Sequence, residues 1–200
     1  MGENPLKGYY LTRVYKDDDP FTTVMDLFRA DAVAMCEKLA PNRHVDTPGQ
    51  AAYLEEREEV ENWVRESAKA VGVDIKEKNP IYFALTTEPE KSTPGRHVIS
   101  IPADQIDLSR CSFTFDDSFN NYSFVETHGE KSGVDPHPMH GVVLNADQAA
   151  KAIKKYGVLG HYDDKRRYIE VQMWDRPVTD MLPQQSKPQQ SRFQPNAQTS

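Results

Sequence analysis

Residues 167–174 constrain the fold of this chain most, because two kinds of side chain alternate along them. Ile169, Val171 and Met173 are apolar, and successive side chains of a strand point to opposite faces of a sheet. The segment is therefore predicted to be a strand that turns these three side chains toward the core. An aromatic face that carries a carboxylate is typical of a wall against which a ring-bearing ligand binds. Such a face is formed here by Tyr168, Glu170, Gln172 and Trp174.

Two helices are predicted ahead of most of the strands. The first spans about residues 23–40 and the second about residues 47–71. The second has the stronger signals, because Pro48 suits the first helical position and Gly72 suits the C-terminal cap. The acidic residues 55–61 of this helix are predicted to form a solvated face.

The remaining elements are mostly short strands separated by Pro, Gly, Asp and Asn. A helix starting after Asn145 precedes the last strand, and the other strands are predicted at 8–15, 81–86, 97–101, 111–115, 122–125 and 141–144. This order lacks repeated βαβ units and favours an α+β fold with a split, mostly antiparallel β core. Residues 21–72 are then a helical insertion near the N-terminus. Residues 1–181 are predicted to form one domain, and the Gln-, Ser- and Pro-rich residues 182–200 a disordered tail.

Charge and cysteine content narrow the class of protein. The net charge of −7 argues against a protein that holds nucleic acid chiefly through phosphate contacts, although an enzyme could still touch nucleic acid locally. The two cysteines, Cys36 and Cys111, have no metal-ligand spacing and favour a reducing compartment. No secretory signal or run of membrane-spanning length is visible. The chain is therefore predicted to be cytoplasmic, without a membrane partner.

Three short blocks resemble the pattern of the ADP-ribosyltransferase-like superfamily, over about residues 8–175. The blocks read YYLTR at 9–13, IYFALTT at 81–87 and EVQ at 170–172. The resemblance implies that the first strand anchors NAD, that the second lines the nicotinamide pocket, and that the late strand supplies a catalytic glutamate. Glu170 is then expected to be catalytic, and the residues expected to bind NAD are Arg13, Tyr10, Thr12, Tyr82, Phe83 and Thr86.

The blocks also depart from that superfamily's pattern. The second has ALTT at 84–87 where arginine-specific members have Ser-Thr-Ser. The third lacks Glu-x-Glu, and Tyr168 stands two residues before Glu170, at a position that helps to choose the acceptor. The resemblance therefore implies ADP-ribosyl transfer or NAD hydrolysis with the acceptor open: a protein side chain, a nucleic-acid base or water. A fixed carboxylate near the ribose would stabilise the oxocarbenium character that develops when the nicotinamide bond breaks.

Two other functions remain open from the residues alone. One is a non-enzymatic acidic binding or inhibitor protein that docks a partner on the aromatic strand face. The other is a metal-dependent hydrolase or nuclease, because carboxylates and imidazoles in the loop at 135–140 could bind a divalent metal. Its candidate ligands are Asp135, His137, His140, His128 and His161, with Asp116 and Asp117 as further ones.

Overall fold

The computed structural model describes residues 4–15, 21, 23–27, 30–34, 48–127, 137–158 and 168–176. Six strands form one sheet in the order β3-β1-β2-β6-β4-β5, and all neighbouring strands are antiparallel. They are β1 (Tyr10–Tyr15), β2 (Ile81–Thr86), β3 (His97–Pro102), β4 (Cys111–Phe115), β5 (Val143–Leu144) and β6 (Ile169–Met173). The longer helices are α1 (Pro48–Ala70), α2 (Ser118–Glu126) and α3 (Ala146–Tyr156). The predicted α+β class and antiparallel pairing are confirmed, but the described strands form one continuous sheet and not the predicted split core.

Local capping signals place two of the helices where they were predicted. Gly72 follows α1 with a φ of +85°. Asn145 caps α3 by accepting a hydrogen bond from the backbone N–H of Gln148 at 3.0 Å, and Gly157 follows this helix with a φ of +81°. Glycine adopts such positive φ values without steric cost, which is why it ends helices so often.

The strand predicted at 122–125 is wrong, because these residues belong to helix α2. Asp117 caps this helix by accepting a hydrogen bond from the backbone N–H of Asn120 at 2.8 Å. Satisfying a free N–H of the first turn stabilises the helical conformation. The aromatic side chains of Phe119 and Tyr122 then pack beside α1.

The predicted helical insertion at 21–72 lies between β1 and β2. Within it the structure describes a 3-10 turn at Val24–Asp26, a helical stretch at 30–34 and the long helix α1. Residues 35–40, which end the first predicted helix and include Cys36, lie outside the described residues. The predicted tail at 182–200 does as well.

Both faces of the sheet are covered, which corrects one expectation about β6. Ile169, Val171 and Met173 lie in the main core, on the face that also contacts α3, as predicted. The opposite face packs against α1 and α2, where Trp174 clusters with Val60 and Val64. Glu170, Gln172 and Trp174 are only 6%, 0% and 0% exposed, so the polar and aromatic face of β6 is interior.

Candidate active-site pocket

A pocket lies where strands β1 and β2 stop pairing. β1 pairs with β3 along all of Tyr10–Tyr15, but with β2 only from Tyr10 to Thr12. Beyond Thr12, the side chain of Arg13 bridges the two strands, and its Nη1 donates to the backbone carbonyl of Tyr82 at 2.9 Å. The sheet is therefore continuous at one end of this strand pair and open at the other.

A single alanine forms the floor of this opening. Ala84 on β2 is paired with Thr12 on β1 and with Glu170 on β6. Because neighbouring strands are about 4.8 Å apart, Thr12 and Glu170 stand on strands roughly 10 Å apart with only a methyl group between them. The resulting pocket has a volume of about 120 Å³ and is lined by Thr12, Arg13, Val14, Tyr82, Phe83, Ala84, Tyr168 and Glu170.

The pocket gathers most of the residues that the superfamily resemblance points to. Five of the seven line it, namely Glu170, Arg13, Thr12, Tyr82 and Phe83. Tyr10 and Thr86 lie outside this lining. Thr86 is instead within hydrogen-bonding distance of the Thr12 hydroxyl, at 2.8 Å, and donates to the carbonyl of Glu88 at 2.9 Å. Thr86 thus supports the position of a pocket residue.

Three hydrogen-bond donors hold the Glu170 carboxylate in place. Its Oε1 accepts from the backbone N–H of Ser118 at 3.1 Å and from Nε2 of Gln172 at 3.0 Å. Its Oε2 accepts from the Tyr168 hydroxyl at 3.2 Å. Burial raises the pKa of Glu170, and the positive charge of Arg57 opposes that rise. The carboxylate is therefore both fixed in orientation and unusually easy to protonate.

The rest of the β6 face orients Glu170 from behind. Gln172, which binds Glu170, also donates to Thr114 Oγ1 at 3.0 Å and accepts from Ser112 Oγ at 2.9 Å. The Trp174 indole N–H donates to Ser112 Oγ at 2.9 Å. Gln172 and Trp174 were predicted to face a ligand or a partner, but they form a buried network. The aromatic face that the binding-protein alternative requires is thus covered.

Two charged residues of α1 complete the surroundings of the pocket and were missed from the sequence. The Arg57 guanidinium lies over the Tyr82 ring, with Cζ 4.0 Å from the ring centroid, and its Nε donates to Glu61 Oε1 at 3.0 Å. Glu61 is only 2% exposed, so the prediction of a solvated acidic face over 55–61 fails at this residue. The available signal was helical spacing, because Glu61 shares a face with the buried Val64 and Ala68.

The loop proposed as a metal site is described only in part. His137 and His140 each use Nδ1 to accept a backbone N–H, at 3.2 Å and 3.1 Å. Asp117 caps α2, and Asp116 accepts from the backbone N–H of Asp117 at 2.8 Å. Across the described ranges no three His, Cys, Asp or Glu side chains are grouped as a metal-ligand set. The other candidate ligands, His128, Asp135 and His161, lie outside the described residues.

Comparison with protein-family models, with curated proteins and with solved structures found no match for this chain. Among the helices that the structure describes, none is both long and apolar enough to cross a membrane. The cytoplasmic location and the NAD partner remain predictions. The function is therefore argued from the chemistry of the pocket itself.

Proposed function

We propose that this chain binds the nicotinamide–ribose end of NAD in the pocket between β1, β2 and β6. It then cleaves the bond between nicotinamide and ribose. The supporting observation is convergence: Arg13, Tyr82 and Glu170 come from three separate strands and border one pocket. These residues were singled out from the sequence for three distinct tasks in handling NAD. Their meeting in one place is what the proposal needs.

The size and lining of the pocket suit one end of a dinucleotide. A volume of about 120 Å³ is well below the 300 Å³ or more of pockets that enclose a whole drug-sized ligand. It can admit a single ring against the aromatic side chain of Tyr82, whereas the side chain of Phe83 lies in the main core on the other face of the sheet. The guanidinium of Arg13 borders the same space and would pair with a phosphate oxygen. The adenylate half would then lie outside the pocket.

Glu170 would act on charge that develops during the reaction. When the bond from ribose C1′ to the nicotinamide nitrogen breaks, its electron pair leaves with the nicotinamide and neutralises the positive ring. The ribose acquires oxocarbenium character, which an ionised and rigidly held carboxylate stabilises. The acceptor atom then bonds to C1′ and loses its proton. That acceptor is water, a protein side chain or a nucleic-acid base.

The decisive assay uses NAD that is labelled in its adenylate half. Nicotinamide release is measured together with the destination of the label. The label is followed as free ADP-ribose, on added protein and on added nucleic acid. Replacing Glu170 with Gln should reduce nicotinamide release about 100-fold or more, because removing one preorganised electrostatic contact typically costs this much. Absence of nicotinamide release by the wild type would refute the proposed cleavage, and full activity of Glu170→Gln would place the chemistry elsewhere.

A second variant tests the location of the ligand. Ala84→Val adds two methyl groups to the floor of the pocket, and a β-branched residue suits a strand. Ala84 is 2% exposed, so folding of the variant is checked by thermal unfolding, and the folded variant should lose NAD binding, measured by calorimetry. Thr87→Val is the matched control, because this exposed residue follows the end of β2 and lies outside the pocket lining. Unchanged NAD affinity in Ala84→Val would show that the ligand binds at another place.

A further inference from the structure

Arg57 lies outside the pocket lining but contacts one of its walls. Its guanidinium is 4.0 Å from the centroid of the Tyr82 ring and 5.1 Å from that of Phe119. A guanidinium over an aromatic face is attracted by the quadrupole of the ring, more strongly where water is excluded. The side chain of Arg57 is only 13% exposed. Helix α1 thus holds a cation directly against the Tyr82 ring.

Glu61 locks this arrangement from the same helix. Its Oε1 accepts from Arg57 Nε at 3.0 Å and from the Tyr82 hydroxyl at 3.3 Å. The ring of Tyr82 is therefore held at its face by Arg57 and at its hydroxyl by Glu61. Since Glu61 is 2% exposed, removing the positive charge of Arg57 would leave a buried carboxylate without its counter-ion.

The positive charge of Arg57 also acts on Glu170, because Arg57 lies against the ring of Tyr82 and Tyr82 neighbours Glu170 in the sheet. Tyr82 and Glu170 are diagonal neighbours on adjacent strands, because Ala84 is the residue paired with Glu170. Burial raises the pKa of Glu170, Arg57 lowers it and Asp117 at the start of α2 raises it. The other titratable or charged groups on the surrounding elements are Tyr82 on β2, Glu61 on α1 beside the Tyr82 hydroxyl, Tyr168 before β6 and, across the pocket, Arg13 on β1.

We propose that Arg57 is a positioning residue of this site, which clamps the Tyr82 wall and supplies the positive charge facing Glu170. A role of Arg57 in catalysis rests on the proposed function, whereas its interaction with Glu170 is independent of that function. Arg57 would thus affect the reaction from outside the pocket lining, through Tyr82 and Glu170. Arg57 on α1 then opposes the effect of burial on the charge state of this glutamate.

The test follows the Glu170 carboxyl carbon by ¹³C NMR during a pH titration of the full chain without ligand. Its signal is identified by its loss in Glu170→Gln. Arg57→Gln removes the charge and keeps an amide that can donate to Glu61, and it should move the titration midpoint of Glu170 upward by about one pH unit or more. Arg57→Lys keeps the charge and should leave the midpoint close to that of the wild type.

Asp117→Asn provides a control of opposite sign. Asn caps helices about as well as Asp, so α2 should remain intact while a negative charge near Glu170 disappears. The midpoint should then move downward. A merely structural role of Arg57 would not produce shifts that follow the sign of the charge removed. An unchanged midpoint in Arg57→Gln would overturn the proposal.

A double variant keeps the test valid if Arg57→Gln does not fold. Arg57→Gln with Glu61→Gln removes both members of the ion pair, and the midpoint should still move upward, by less than in Arg57→Gln because the negative charge of Glu61 disappears as well. Failure here is distinct from failure of the proposed function, which is decided by nicotinamide release from the wild type. If NAD is cleaved, the acid limb of the kcat/KM profile should move to higher pH in Arg57→Gln by the same amount as the NMR midpoint.

Discussion

Replacing Glu170 with Gln is expected to stabilise the folded chain at neutral pH while it removes the proposed chemistry. Glu170 is 6% exposed, and burial raises its pKa above the usual value for glutamate. The folded state therefore binds a proton at this site more tightly than the unfolded state does. At any pH above the pKa that Glu170 has in the folded state, its carboxylate is charged while buried, and this lowers the free energy of unfolding. Glutamine carries no such charge.

The hydrogen bonds of Glu170 should survive the substitution, so the charge decides the outcome. A glutamine carbonyl can accept from the Ser118 N–H and from Gln172, as Oε1 does now. Its amide can donate to the Tyr168 hydroxyl, reversing the present bond. For every pH unit by which the folded pKa lies above the unfolded one, the gain is about 1.4 kcal/mol. In a chain of this size that corresponds to an increase in Tm of roughly 3–6 °C per pH unit.

Thermal unfolding of both proteins between pH 4 and pH 9 measures this gain. The difference in Tm should be largest above the folded pKa of Glu170 and should shrink as pH falls through it. The difference should be smallest below about pH 4, where glutamate is protonated in both states. Glu88→Gln, at an exposed position, is the matched control and should leave Tm unchanged. A lower Tm for Glu170→Gln at pH 7, or a gain that does not vary with pH, would refute the reasoning.

Two further substitutions probe packing at the end of α2 and behind Glu170. Gly141→Ala should lower stability by about 1–2 kcal/mol, because the left-handed backbone disfavours a side chain and a Cβ there would lie 2.8 Å from Val125 Cγ2; a Tm equal to that of the wild type in calorimetry would contradict this. Trp174→Phe should lower the free energy of unfolding in urea by about 1–3 kcal/mol, because it removes the indole N–H that donates to Ser112 and leaves unfilled volume. An unchanged urea midpoint would mean that the polar network behind Glu170 contributes little to stability.

Local signals in the sequence were sufficient for most of the elements. The alternation around Val171 identified β6, and Pro48 with Gly72 bounded α1, because these signals act within one strand or one helical turn. Helix α2 shows the limit of such signals. Residues 122–125 of this helix are predicted to be a strand from the sequence, and the cap that Asp117 supplies gave no signal that outweighed their aromatic and β-branched side chains.

The burial of the polar face of β6 could not be predicted from β6 itself. It depends on α1 and α2 packing over that face, and these contacts link residues far apart in the sequence. Glu61 was misplaced for the same reason, since a run of acidic residues looks solvated until the helix face that meets the sheet is known. The role of Arg57 depends on that packing as well, because its partner Tyr82 lies on β2.

The pocket itself depends on strand register. Ala84 lies between Thr12 and Glu170 only because β1, β2 and β6 pair in one alignment, and a slip of one residue would turn each side chain to the other face. The superfamily resemblance pointed to Glu170 and Arg13 in the sequence. Nothing in the sequence indicated that Ala84 would leave space between the strands that carry them. Register is set by the whole sheet, so the floor of the pocket emerges only from the fold.

Glu170 is a poor choice for stability alone, and this favours a function for it. A buried polar network stabilises a fold when every group is satisfied, and Gln172 and Ser112 meet that condition with neutral side chains. A glutamine at position 170 could keep the same three hydrogen bonds without a buried charge. A buried charge lowers stability, and active sites commonly contain such destabilising groups because the chemistry requires them. If Glu170→Gln proves more stable and inactive toward NAD, the charge is there for chemistry; if it proves less stable, the carboxylate is explained by the fold.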